Sequence, residues 1–61
     1  MARFEIHKTK KLQYYFVLIA ANGEVIAVSE SYTQKHNCIK SIQVVQALAA
    51  QAEIKDETKE T

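Results

Sequence analysis

The run Tyr14-Tyr15-Phe16-Val17-Leu18-Ile19-Ala20-Ala21-Asn22-Gly23-Glu24-Val25-Ile26-Ala27-Val28-Ser29 decides the fold. Its aromatic and β-branched residues suit strands, and Asn22-Gly23 divides it into two. Asn-Gly between apolar runs is a strong hairpin signal, because both residues accept the positive φ of a two-residue type I′ turn. Such a loop sets the register: Ala21 opposes Glu24, Ala20 opposes Val25, Ile19 opposes Ile26, Leu18 opposes Ala27 and Val17 opposes Val28. One face of the hairpin then carries Tyr14, Phe16, Leu18, Ala20, Val25 and Ala27. The other carries Tyr15, Val17, Ile19, Ile26 and Val28. Both faces are largely apolar, whereas an antiparallel sheet with one wet face alternates apolar and polar residues.

Upstream, Phe4 and Ile6 alternate with Arg3, Glu5 and His7, the period of a half-buried strand. Thr9 to Leu12 reads as a polar connection, and Lys8, Lys10 and Lys11 beside it form the basic cluster of the chain. Downstream, Cys38, Ile42, Val45 and Ala49 recur at spacings of three and four, with Ile39 and Leu48 flanking, so the spacing predicts an amphipathic helix to about Ala50. Thr33 is placed to cap its N-terminus. Ala52 to Asp56 can continue the helix or alternate as a short strand, the chain is charged from Asp56 onward, and residues 59–61 are expected to fray. The whole is one α+β domain over residues 1–58.

At 61 residues the chain buries only roughly 60% of its unfolded surface. A core this small supplies at most ~3–5 kcal/mol and calls for a disulfide, a metal or a partner. One cysteine, Cys38, forms no intrachain disulfide. The soft metal-ligand candidates are His7, His36 and Cys38, and a two-residue spacing puts the last two on different sides of a helix. No metal and no cofactor is expected. Oligomerisation remains. A formal net charge of +1 is too small to announce nucleic acid, although residues 1–40 carry +3 and residues 41–61 carry −2. The longest apolar stretch, Tyr14 to Ala21, is far short of a membrane span. A lone thiol and a charged N-terminal segment favour the cytoplasm.

No catalytic constellation is legible. A nucleophile needs a base in reach and a group to orient it, and Cys38 on the apolar stripe reads as a small buried hydrophobe. The single glycine belongs to the hairpin, so there is no glycine-rich phosphate loop. The chain is therefore expected not to be an enzyme. The feature that asks for a role is the second apolar face, with Tyr15, Val17, Ile19, Ile26 and Val28 as a candidate interface for another protein. Lysine at Ile19 and Ile26 is then expected to abolish association and leave the fold intact.

Together these residues resemble the YegP-like domains, small bacterial and archaeal proteins of unknown function. The family pattern pairs an early Phe-x-Ile with Phe-x-Leu-x-Ala-x-Asn-Gly-Glu, Ser-Glu-x-Tyr, a helical Ile-x-Ser-Val and a late Asp-x-Thr. Phe4 and Ile6 match the first element, and Phe16, Leu18, Ala20, Asn22, Gly23 and Glu24 the second. Ser29, Glu30 and Tyr32 match the third, Ile39, Ser41 and Ile42 the helix, and Asp56 with Thr58 the tail. The resemblance implies a β3-α-β unit whose antiparallel sheet is completed in a homodimer by exchange of the C-terminal strand. That strand would be Glu53, Ile54, Lys55, Asp56 and Glu57. The family offers no catalytic residues. Cys38 stands where it often has glycine, and Val17 and Ile19 where polar or basic residues are common.

The expected role is a non-enzymatic dimeric interaction or structural module. Two alternatives stand beside it. One is nucleic-acid binding on the open sheet, with Tyr15 stacking a base and Arg3, Lys8, Lys10 and Lys11 on phosphates. The other is a small-ligand or peptide site at the strand-to-helix corner formed by Ser29, Glu30 and Tyr32. The bland reading of that corner is structural: polar side chains hold backbone groups, and Tyr32 buries its ring.

Overall fold

A computed structural model describes residues 1–59; of the tail expected to fray, residues 60 and 61 lie outside the described residues. Three strands, β1 (Arg3–Lys8), β2 (Tyr14–Ile19) and β3 (Val25–Val28), form an antiparallel sheet in chain order, and one helix, α1 (Lys35–Leu48), follows. This is the expected α+β arrangement of the described elements.

The two hairpins share one loop design. In the second, the Gly23 N–H donates to the Ala20 carbonyl at 2.9 Å and the Ala20 N–H to the Glu24 carbonyl at 2.8 Å. In the first, Leu12 donates to Thr9 at 3.0 Å and Thr9 to Gln13 at 2.7 Å. Each loop has three residues ending in one with positive φ, Leu12 at 61° and Gly23 at 89°. This is a type I turn followed by a G1 bulge. It corrects the two-residue type I′ turn expected at Asn22-Gly23, and the reason is local. The observed loop needs positive φ at Gly23 alone, and it frees the Asn22 side-chain oxygen to accept the Glu24 N–H at 3.1 Å.

The register changes accordingly. Val17 pairs with Val28 and Leu18 with Ala27, as expected, but Ile19 pairs with Val25, not Ile26. A bulge between these pairs leaves Ile26 as the extra residue on β3. The loop bulge shifts the ladder by one residue and this second bulge restores it. β1 pairs with β2 without interruption, from Arg3 with Ile19 to Lys8 with Tyr14.

Helix α1 starts later than its sequence suggests. Tyr32 is held in an isolated bridge to Tyr14, with N–H···O bonds of 2.7 and 2.6 Å in the two directions. The chain is still extended at that point, so the N-cap falls on Gln34, not Thr33, and the Gln34 side chain does not cap the helix. The helix ends at Leu48, and a turn through Gln51 closes on the Leu48 carbonyl. The helical alternative for residues 53–57 is thereby excluded.

The helix packs on the central strand β2. Cys38 and Ile42 meet Phe16, with Phe4, Ile6, Tyr14, Tyr32 and Val45 around them. Phe4 and Phe16 pack edge to face, with centroids 5.7 Å apart. The apolar stripe of α1 is narrow, so it covers one strand of the three. Leu12, Val25, Ile26, Val28, Val44, Leu48 and Ile54 all stay exposed. The Cα radius of gyration, 13.8 Å, exceeds the roughly 10.5 Å of a compact chain of this length, because the C-terminal segment stands away from the body.

Candidate functional site

At the corner between β3 and α1 the polar groups of Ser29 and Tyr32 are engaged within the fold, while the Glu30 side chain is exposed. The Ser29 hydroxyl accepts the Phe16 N–H at 2.9 Å and donates to the Glu30 carbonyl at 2.8 Å. It stands in where the ladder loses its main-chain acceptor, between the end of β3 and the Tyr14–Tyr32 bridge. The Tyr32 hydroxyl shares a 2.8 Å hydrogen bond with Ser41 on α1, which ties strand to helix. Ser29 and Tyr32 thus meet partners within the fold.

The sheet face away from α1 differs from a flat apolar patch. Cross-strand partners share a face, so Tyr15, Val17, Ile19, Val25 and Val28 lie together on it, with Ile26 displaced by the bulge. Val17 and Ile19 are buried, since each is flanked on both sides by a neighbouring strand. On β1 the same face carries a polar row. Glu5 accepts from Arg3 Nε at 2.6 Å and lies 3.0 Å from His7 Nε2, while His7 stacks on Tyr15 with centroids 5.6 Å apart. The Arg3 and His7 contacts hold the Glu5 carboxyl below its ordinary range. Lysine at Ile19 would therefore strike a buried position, and the expectation that it leaves the fold intact is corrected.

On the helix side of β1 lies an open cleft of about 520 Å³, lined by Phe4, Ile6, His7, Lys8, Tyr14 and Lys35. Its floor is Phe4 and Ile6, each half-buried on one side against the Phe16–Cys38–Ile42 core. Its mouth is basic. Lys8 Nζ lies 5.5 Å from the centroid of the Tyr14 ring, and neither Lys8 nor Lys35 makes an ion pair among the described residues. Sequence reasoning missed this cleft. The available signal was the width of the helical stripe: Cys38, Ile42 and Val45 are too few to cover three strands.

The tail, residues 53–57, has no strand partner among the described residues of the single chain. Ile54 is 97% exposed. Asp56 accepts both the N–H and the hydroxyl of Thr58, at 2.9 and 2.7 Å, which lowers its pKa. Elsewhere, Cys38 is fully buried and its desolvated thiol titrates above the ordinary range, a setting that suppresses thiolate chemistry. Among the described residues, no group of three His, Cys, Asp or Glu is placed to hold a metal, and no helix is long and apolar enough to cross a membrane.

Comparison with known proteins sets this geometry in a family. Residues 10–56 match the model of a domain of unknown function, DUF1508. A UPF0339 protein of Treponema denticola is 44% identical over 52 residues, covering 85% of this chain and 90% of that protein. The UPF0339 protein YegP of Yersinia pestis is 42% identical over 97% of this chain, yet the chain spans only 55% of its length. It spans 41% of a Photorhabdus laumondii relative with which it is 49% identical over 47 residues. A solution structure of a Haloferax volcanii protein superposes with a TM-score of 0.82 at 27% identity, over 90% of this chain and 93% of that one. These UPF0339 relatives are uncharacterised proteins of bacteria. The match over most of its length, together with the Asn22-Gly23-Glu24 hairpin and the Ser29 to Tyr32 corner, places the chain in the DUF1508 family of YegP-like domains, a family of unknown function.

Proposed function

We propose that this chain is a non-enzymatic interaction module that works as a homodimer, each copy lending residues 53–57 as a strand to the other's sheet. The observation that carries this reading is Ile54, 97% exposed on a segment without a strand partner among the described residues, in a molecule whose sheet has two open edges. Burying an isoleucine side chain is worth about 1.5–3 kcal/mol, a large gain for a core this small. An added strand also satisfies free main-chain groups at the edge, the usual source of affinity in strand addition.

The two edges are not equivalent acceptors. β3 has four residues and a bulge at Ile26, and a bulged, short edge resists pairing. β1 has six residues in unbroken register with β2, so its outer edge is the template. The chain spans 55% of YegP, which leaves length there for a second such unit, and in this reading a second copy of this chain takes that place. The nucleic-acid alternative draws less support, since Arg3 is engaged by Glu5 and Tyr15 by His7. A lone thiol, Cys38, fits a reducing compartment.

Mass in solution tests the proposal, measured by light scattering at low micromolar concentration for the full chain and for one ending at Ala52. A dimer whose truncation is monomeric or unfolded supports strand exchange. A full-length chain that stays a monomer refutes it.

A further inference from the structure

We infer that Asn22 is a site of non-enzymatic deamidation, withheld by the closed β2–β3 hairpin and released when it opens, so that opening of this sheet edge leaves an irreversible covalent mark.

The chemistry belongs to the Asn22-Gly23 pair itself. Hydroxide takes the proton of the Gly23 N–H, the nitrogen attacks Cγ of Asn22, and the Cγ–Nδ2 bond breaks to release ammonia. The succinimide ring so formed takes up water and opens to aspartate, or to isoaspartate, in which the backbone runs through the former side chain. Glycine leaves the attacking nitrogen unhindered, whereas the other asparagine, Asn37, is followed by Cys38 inside α1. Asn22 and Gly23 are exposed, so hydroxide and water reach them from solvent.

Two features of the closed loop oppose ring closure. The Gly23 N–H donates to the Ala20 carbonyl at 2.9 Å, which holds the proton that must leave. Asn22 also sits at the third position of the type I turn from Ala20 to Gly23, where ψ is about 0°, and ring closure turns that bond well away from zero. A third contact acts the other way. The Asn22 side-chain oxygen accepts the Glu24 N–H at 3.1 Å, which draws electrons from Cγ and favours attack. It has no effect while the attacking nitrogen is held, so the lock on Gly23 decides.

That lock is only as strong as the hairpin. β3 is an edge of four exposed residues with a bulge, the kind of element that opens locally at low cost. It stays an edge whether or not a second copy pairs on β1, so the inference stands apart from the proposed dimer. Each reaction is permanent, and isoaspartate lengthens the backbone of a loop whose Gly23–Ala20 and Ala20–Glu24 hydrogen bonds fit three residues.

The wild-type full chain, kept in mildly alkaline buffer with and without unfolding urea, tests this. Peptide mapping by mass spectrometry follows the amide-to-acid mass gain at Asn22 and at Asn37. In urea, Asn22 is expected to react faster than Asn37. In native buffer, Asn22 is expected to react at least about tenfold more slowly than in urea, the factor by which the closed loop outweighs the open one. The isolated isoaspartyl chain is expected to unfold at a lower urea concentration than its parent. Equal rates at Asn22 with and without urea overturn the gate. A rate at Asn22 no greater than at Asn37 in urea overturns the site, and an isoaspartyl chain as stable as its parent overturns the structural mark.

Discussion

Leu12 occupies in the first hairpin the position that Gly23 occupies in the second: each closes a three-residue loop with positive φ, 61° and 89°. The first loop compensates with Thr9, whose hydroxyl accepts the N–H groups of Lys11 and Gln13 at 3.2 and 3.1 Å. A β-carbon in the left-handed region costs about 1–2 kcal/mol, and exposed Leu12 returns little of it through packing. After the extra chain entropy of glycine, Leu12→Gly is expected to stabilise the fold by about 0.5–1 kcal/mol. Gly23→Ala has open space around its new methyl, so it loses only backbone energy, about 1 kcal/mol. Urea unfolding of the two variants checks the opposite signs.

Ser29→Ala removes the acceptor of the half-buried Phe16 N–H. An unpaired donor of this kind costs about 1–3 kcal/mol. Tyr32→Phe, which loses only the hydroxyl bond to Ser41, costs less, about 0.5–1.5 kcal/mol. Thermal unfolding orders the two variants, and equal effects would contradict the role given to Ser29.

Ile19 and Ile26, adjacent to one another in the expected register, differ by their burial. Ile19 is 7% exposed and Ile26 is 56% exposed. A lysine at Ile19 is expected to unfold the chain, since an unpaired buried cation costs several kcal/mol. A lysine at Ile26 leaves the circular dichroism spectrum unchanged. Tolerance of both would contradict the burial of the outer face.

Glu5 links the outer face to pH. Its folded pKa is depressed below the ordinary 4.5 by Arg3 first and His7 second. The stability it adds is therefore present above about pH 4.5 and is lost as pH falls through the lower folded value. Glu5→Gln should flatten that acid limb and leave stability differences constant at neutral pH. An unaltered acid limb would show that other carboxylates set it.

Strand positions were legible in the sequence because period-two alternation and β-branched content act locally: Phe4 and Ile6 mark β1, and Tyr14 to Ile19 mark β2. The helix was legible from Cys38, Ile42 and Val45. What escaped was set by contacts distant in sequence or by competing local geometry. Thr33 looked like a cap, but the Tyr14–Tyr32 bridge delays the helix by one residue. Asn22-Gly23 marked the hairpin, yet the choice between two loop types hinges on the Asn22 side chain reaching Glu24. The cleft beside Lys8 and Lys35 depends on how far α1 extends over the sheet, which follows from packing and not from any motif.

The most direct measurement is an isotope-filtered nuclear Overhauser experiment on an equimolar mixture of labelled and unlabelled chains. It should detect contacts between residues 53–57 of one copy and β1, Arg3–Lys8, of the other. A dimer in which residues 53–57 give no contact across copies, while other regions do, would contradict strand exchange at β1.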